Sequence, residues 1–302
     1  TVYCSKTTHT WIEKATVLFG LGTNAIRWIP TDNNNKMNTD LLNQAIAKDV
    51  KNGCTPMIII GTAGDVSTGA VDNLQEIASI SKTHNCWFHI DGAYGVPAAV
   101  IPEYKALFNG IEAADSIALD PHKWLYSPLE AGCTLVKNPQ HLINTFSSHP
   151  EYYNFSDNDH NFYEFGLQNS RGFRALKVWL ALKQVGKNGY KQMIHEDIKL
   201  AKLLFNASKD HQELQAISNN LSISTFRYIP EKNLSDEYLN TLNEKLVNQL
   251  QTGGELFVSN ALVHNNYCLR ACIVNYRTSE KDIYEMIEII VKEGRKIHQK
   301  IK

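Results

Sequence analysis

Asp120-Pro121-His122-Lys123-Trp124 follows the short apolar run Ser116-Ile117-Ala118-Leu119. The run reads as a strand that ends at the proline. A lysine set between a histidine and a tryptophan at a strand end is an unusual place for a charge, because lysine is rarely buried unless it is paired or functional. A second apolar run, Cys86-Trp87-Phe88-His89-Ile90, ends in Asp91-Gly92-Ala93-Tyr94-Gly95. One strand end presents an amine and a nearby one presents a carboxylate. In open α/β sheets, ligands bind at the carboxyl ends of the strands.

Outward from these two stretches the pattern alternates. Pro56-Met57-Ile58-Ile59-Ile60 is apolar on both faces, as a buried strand is. Val71, Leu74, Ile77 and Ala78 mark a helix, and Ala98 to Phe108 reads as another helical stretch. Gly132-Cys133-Thr134-Leu135-Val136 is a further strand. Upstream, Ile12, Ala15 and Leu18 have helical spacing, and Asn24 to Ile29 is a candidate strand. Asn38 or Thr39 caps a helix with Leu41, Leu42, Ala45, Ile46 and Val50 on its apolar face. Strand, helix, strand, helix, strand is the signature of a mostly parallel sheet with crossover helices.

The pattern breaks between Ser147 and Leu167, a tyrosine-rich segment without a period that is long enough to be functional. Helical spacing resumes from Phe173 to Leu182 and ends near Gly186. Then come a strand from Leu221 to Tyr228, a helix through Tyr238, Leu242, Leu246 and Leu250, and a strand from Tyr267 to Asn275. Ser279 and Asp282 resemble a capping box that opens a last helix. The expected architecture is α/β: a large domain over 1–175 with helices on both faces of its sheet, and a smaller C-terminal α+β domain over 176–302.

Composition excludes several classes. The 302 residues are 43% hydrophobic and 20% charged, as in a globular protein, and the net charge of -1 gives no electrostatic case for nucleic acid or an acidic membrane. There is no signal peptide and no apolar run of membrane-spanning length. Six scattered cysteines form no CxxC pair; Cys86 and Cys133 lie in apolar runs, where a buried free thiol is expected. A reducing, cytoplasmic setting fits this usage.

The chemistry follows from Lys123 and Asp91 together. A lysine amine attacks an aldehyde to give a Schiff base, and a carboxylate keeps a pyridine nitrogen protonated as an electron sink. Both are needs of pyridoxal 5'-phosphate. Its ring also needs a flat partner, for which His9 is a candidate. A hydroxyl such as that of Thr62 can serve the cofactor's O3′ side or a substrate carboxylate.

With these residues in hand, the chain resembles the group II pyridoxal-phosphate-dependent amino-acid decarboxylases, which include the aromatic amino-acid, glutamate, histidine and diaminobutyrate enzymes. The matching stretches are Tyr3-x-Ser5-x-x-x-His9, Gly61-Thr62, Gly69-Ala70-Val71-Asp72, His89 to Gly95, Asp120 to Leu125, Ser170-Arg171-Gly172-Phe173-Arg174-Ala175-Leu176-Lys177 and Leu269-Arg270. They occur in order over nearly the whole chain. The resemblance implies the aspartate-aminotransferase-like fold, fold type I, and decarboxylation of an L-amino acid to an amine and CO2. It implies that Lys123 carries the cofactor, Asp91 pairs with the ring nitrogen, Ala93 packs beneath the ring and His9 stacks on its other face. His122 would sit near the phosphate and Thr62 would line the pocket. A loop tyrosine would be the proton donor; Tyr152, Tyr153 and Tyr163 compete, and the spacing of Tyr163 to Arg171 favours Tyr163. The family's active site lies at a subunit interface, which implies a homodimer.

Two departures stand out. Many relatives have asparagine where this chain has Asp120, and an anion beside a phosphate is unfavourable unless it is turned away or paired. The family's N-terminal arm and phosphate loop would lie before residue 1, so the chain alone is expected to bind the cofactor poorly unless an N-terminal piece accompanies it. The rival readings are another reaction on the same fold (an aldehyde synthase, a carbon–carbon lyase or a transaminase) and an inactive truncated homologue. Trp11, Phe165 and Trp124 are candidates for an aromatic substrate pocket.

Overall fold

The computed structural model describes residues 1–148 and 161–301. Strand β1 (Val2–Ser5) is buried at all four positions. It is followed by α1 (Trp11–Leu18), β2 (Ile26–Ile29), α2 (Thr39–Lys51), β3 (Ile58–Thr62), α3 (Leu74–Thr83), β4 (Trp87–Asp91), β5 (Ser116–Leu119) and β6 (Cys133–Val136). The six strands form one sheet in the order β2-β1-β3-β4-β5-β6. Every neighbouring pair is parallel except β5 and β6, so the antiparallel strand sits at one edge.

Alternation along the strands sends side chains to two cores. Val2, Cys4 and Ile60 pack with Ile12 of α1 on one face. Tyr3 and Ile59 pack with Leu42 and Ile46 of α2 and with Leu74 and Ile77 of α3 on the other. The fold is therefore α/β with a covered, mostly parallel sheet, as the alternating pattern implies. The Asn38 side chain caps α2 by accepting from Leu41 N at 3.0 Å. The buried stripe of α2 is Leu42, Ile46 and Asp49, whereas Leu41 and Val50 are exposed.

Some local expectations fail for identifiable reasons. Ala98 to Phe108 is not one helix but part of two 3₁₀ turns, Val96–Val100 and Lys105–Phe108. Pro97 and Pro102 lack the N–H groups that a continuous helix would need there. Residues Thr23–Ala25 form a 3₁₀ turn, so β2 starts two residues later than Asn24. Cys86 is buried, but Cys133 lies on the edge strand and is only half-buried. All six cysteines are free.

Beyond α4 (Gln140–Phe146), a helical span α5 (Arg174–Asp210) is interrupted at Gly186, whose φ of 69° and ψ of 168° belong to no helix. Then come β7 (Leu214–Asn220), β8 (Ile223–Tyr228), α6 (Asp236–Gly253), β9 (Ser259–Val263), β10 (Asn266–Cys272) and α7 (Glu280–Ile301). The four strands make an antiparallel sheet in the order β7-β8-β10-β9. Its core joins Leu200 and Leu204 of α5, Phe226 and Tyr228 of β8, Leu242 and Leu246 of α6, and Ile283 and Ile290 of α7. Ser279 and Asp282 form the expected capping box at α7: Ser279 N donates to Asp282 Oδ2 at 2.8 Å, and Asp282 N donates to Ser279 Oγ at 3.5 Å. Among the described residues no helix is long and apolar enough to cross a membrane.

The β7–β8 turn reaches into the first sheet's core. Leu221, at φ 48°, is buried there with Val71, Trp124 and Ile198. Ser222 N donates to Tyr94 Oη at 3.0 Å. This turn bears on the site directly, because Tyr94 follows Asp91 by three residues.

Candidate active site

Parallel pairing sets the site. Thr62 of β3 stands opposite Asp91 of β4, and Asp91 stands opposite Ala118 of β5. Three adjacent strands therefore end together, with the segment holding Lys123 two turns of chain beyond β5. Two backbone bonds stitch the ends: Gly92 N donates to Ala118 O at 3.1 Å, and Asp120 N donates to Ala93 O at 3.1 Å. The segment with the amine and the segment with the carboxylate are thus held against each other.

Asp91 is buried, 8% exposed. Its Oδ2 accepts from the Trp11 indole Nε1 at 2.7 Å, and its Oδ1 accepts from Ala93 N at 3.3 Å. Both donors are neutral, so among the described residues the buried carboxylate has hydrogen bonds but no cation. A buried anion with this surrounding is unfavourable unless a positive group meets it. Two residues earlier, burial pushes the His89 imidazole below its usual range, against the smaller pull of the Asp91 charge. Its Nδ1 lies 2.7 Å from Ser116 Oγ, which also accepts from Trp87 Nε1 at 2.8 Å.

Lys123 is solvent-accessible, and its Nζ lies 2.8 Å from Asp120 Oδ2. The Asp120 carboxylate that departs from the asparagine of many relatives is therefore turned to Lys123 and paired. His122 Nδ1 faces the Ala131 backbone, 2.8 Å from its oxygen and 3.1 Å from its nitrogen. Thr62 is buried; its N–H donates to Asp72 Oδ2 at 2.8 Å, and its Oγ1 lies 3.5 Å from Thr8 Oγ1. His9 is exposed, and its Nδ1 accepts from Trp11 N at 3.3 Å. Tyr163 is on the 3₁₀ turn Phe162–Phe165, with its hydroxyl buried. Tyr152 and Tyr153 fall outside the described residues.

Of the three aromatic residues named for a substrate pocket, Phe165 ends the 3₁₀ turn that holds Tyr163, and the two tryptophans have other tasks. Trp124 is fully buried and stacks on Tyr94, with ring centroids 4.8 Å apart and planes 14° from parallel. Its Nε1 donates to Asp197 Oδ2 of α5 at 2.8 Å, and the Tyr126 hydroxyl donates to the same oxygen. Tyr94 and Ser222 hydroxyls meet at 2.5 Å. The residues next to Asp91 and Lys123 are thus stacked on each other and tied to α5 and the β7–β8 turn. Trp11 is occupied by Asp91.

Asp197 and Asp72 are the groups that sequence reading left without a role. Asp197 falls on the buried stripe Ile194, Ile198 and Ala201 of α5, and a carboxylate on an apolar stripe was the available signal. Asp72 is buried and accepts from Met37 N at 2.6 Å and from Thr62 N at 2.8 Å. Burial pushes its carboxyl up to about 6, against the pull of those two N–H donors. The unfolded chain's aspartate titrates near about 3.9. Between these values the folded chain keeps a proton that the unfolded chain loses, so stability falls as pH rises through the window. At about 1.36 kcal/mol per unit the loss is about 3 kcal/mol. In denaturant unfolding, the stability of the natural chain relative to Asp72→Asn should therefore fall by about 3 kcal/mol from about pH 4 to about pH 7. A difference independent of pH would contradict this protonated carboxyl.

Comparison with known proteins gives the family. Residues 1–229 match the family described as "Pyridoxal-dependent decarboxylase conserved domain". The chain is 36% identical over 298 residues to the aromatic-L-amino-acid decarboxylase of Bacillus atrophaeus, covering 96% of this chain and 61% of that protein. It is 30% identical to the phenylacetaldehyde synthase of a Rosa hybrid cultivar, covering 96% of this chain and 59% of that protein. In structure it is similar to the Oryza sativa TDC solved with PLP and tryptamine, with TM-score 0.93, 25% identity, and coverage of 98% of this chain and 62% of that one. The chain spans about three fifths of the length of the relatives it matches. A family match over most of the chain, on a fold that brings Asp91 and Lys123 to adjoining strand ends, shows that the chain belongs to the pyridoxal-dependent decarboxylase family, whose cofactor is pyridoxal phosphate.

Proposed function

We propose that the protein decarboxylates an aromatic L-amino acid to the corresponding amine and CO2, with pyridoxal phosphate held by Lys123 and Asp91. The observation that carries this reading is the buried Asp91 carboxylate, met among the described residues by neutral donors, at a strand end stitched to the Lys123 segment. That donor set fits a pyridine ring that carries a proton on its nitrogen. When bound, the cofactor supplies an electron sink for the pair left behind as CO2 departs.

The chain's own residues then have separate tasks. The Lys123 amine holds the cofactor's aldehyde carbon, and Asp120 fixes where that amine waits. Asp91 holds the proton on the ring nitrogen. Ala93 and His9 bound the ring, Thr62 lines the pocket, and His122 serves the phosphate end. Tyr163 gives a proton to the carbon that has lost its carboxylate. The pocket chooses the reaction by choosing which bond is oriented for cleavage. An aromatic substrate is supported by the names of the relatives, since Trp11 and Trp124 are engaged elsewhere.

The protein acts as a homodimer in this reading. Support comes from the exposed apolar side chains Phe173, at the N-cap of α5, Leu176, Trp179 and Leu180 in its first turns, and Val17, Leu18 and Phe19 at the end of α1. Sedimentation of the full-length protein checks it, and an active monomer would contradict it. The domain division at residue 176 and a cytoplasmic location belong to the same proposal.

The test of the activity is direct. Full-length protein supplied with pyridoxal phosphate and a carboxyl-labelled aromatic amino acid should release labelled CO2 and one equivalent of amine. Release of CO2 with uptake of dioxygen and formation of an aldehyde, ammonia and peroxide would instead establish the second reading, an aldehyde synthase, an activity that the name of the rose relative carries. The role of Tyr163 has its own test. Tyr163→Phe should release CO2 yet form amine about 10²-fold more slowly, as loss of a general acid does. Unchanged amine formation would remove Tyr163 from the chemistry.

A further inference from the structure

Trp11 was a candidate wall for an aromatic substrate, and its indole instead points its only polar atom at Asp91. The Nε1 to Oδ2 distance of 2.7 Å is that of a charge-assisted hydrogen bond. The ring is held on both sides of that bond. Its backbone N–H is fixed 3.3 Å from His9 Nδ1, and its face meets His89 edge-on, with centroids 5.7 Å apart and planes 74° from parallel. His89 is itself fixed through Ser116. The indole therefore has a defined pose, reached across two elements, α1 and β4, that are 80 residues apart in sequence.

From this arrangement we infer that Trp11 is a positioning residue for the cofactor, acting through Asp91: its indole N–H fixes one carboxylate oxygen and so sets the direction in which the other acceptor positions face the ring nitrogen. This rests on the proposed function above. A carboxylate has about four acceptor directions. The indole and the Ala93 N–H use two of them, which leaves room for a ring N–H. The bond also stops rotation of the carboxylate, so the anion is aligned before the cofactor arrives.

The experiment replaces Trp11 by benzothienylalanine, which keeps the fused ring and its contact with His89 but has no N–H, and in parallel by Trp11→Phe. Binding of pyridoxal phosphate to the full-length cofactor-free protein is titrated by absorbance, and folding is followed by thermal melting. The isostere should melt like the natural protein and bind pyridoxal phosphate on the order of 10- to 100-fold more weakly, as expected for loss of a hydrogen bond to a charged group. Trp11→Phe should lose at least as much. Unchanged affinity in the isostere would reduce Trp11 to packing and overturn the inference. Tighter binding would show that the indole competes for the ring nitrogen's place and would also overturn it. If the natural full-length protein takes up no pyridoxal phosphate, the proposed function fails, and this inference fails with it.

Discussion

Replacing Lys123 by alanine should reduce decarboxylation by the full-length protein by at least about 10³-fold, the scale seen when a covalent catalytic group is removed. The fold should survive. The Lys123 side chain is 44% exposed and its ion-pair partner Asp120 is within reach of water at 25% exposure. Breaking such a pair costs about 1 kcal/mol or less. Its neighbours are held by bonds that the substitution leaves intact, chiefly Trp124 to Asp197 and Asp120 N to Ala93 O. Turnover and thermal melting of the same preparation separate the two effects. A melting temperature like the natural protein's together with near-normal turnover would show that another group carries the cofactor.

Asp91→Asn should cost about 10²- to 10³-fold in turnover, comparable to removing one preorganised electrostatic partner of a developing charge. The amide keeps an oxygen for the Trp11 indole and gives up the longer 3.3 Å bond from Ala93 N, and its shape is close to the carboxylate's, so the packing around β4 should persist. What it removes is the anion at the ring nitrogen. In the folded chain no cation among the described residues pairs with Asp91, and a neutral amide leaves a protonated ring nothing to meet. Absorbance of the bound cofactor reports whether the variant is loaded, and turnover is then read on loaded protein. Near-normal turnover in that state would exclude the ring-nitrogen role.

The parts of the molecule legible in the sequence are those whose cause is local. β3 is buried at four of its five positions and β4 and β5 are buried or half-buried throughout, so all three appear as short, largely apolar runs, and the chemistry-bearing residues stand where those runs stop. The caps of α2 and α7 are legible because the capping side chain lies within three residues of the N–H or side chain it meets. Gly186 marks a helix break by its own conformation, yet the helical chain resumes beyond it, which a stop signal cannot show. β7 escaped notice because only Leu214 among its residues is buried, so its hydrophobic pattern is faint. Contacts across long separations were not legible at all. Nothing near Trp124 in sequence announces Asp197, 73 residues on, and nothing near Trp11 announces Asp91. In both cases a tryptophan's aromatic surface suggests a pocket, while the fold uses its single N–H to satisfy a carboxylate.

The central claim is that Lys123 is the residue that bonds the cofactor. The most direct measurement is borohydride reduction of the full-length protein loaded with pyridoxal phosphate, followed by proteolysis and mass mapping. Reduction fixes the cofactor to the amine that holds it, whatever the turnover. The label is expected on the peptide containing Asp120-Pro121-His122-Lys123-Trp124, at Lys123, in about one equivalent per chain. Label at any other lysine, or none at Lys123 in a preparation that absorbs as cofactor-loaded, would contradict the assignment.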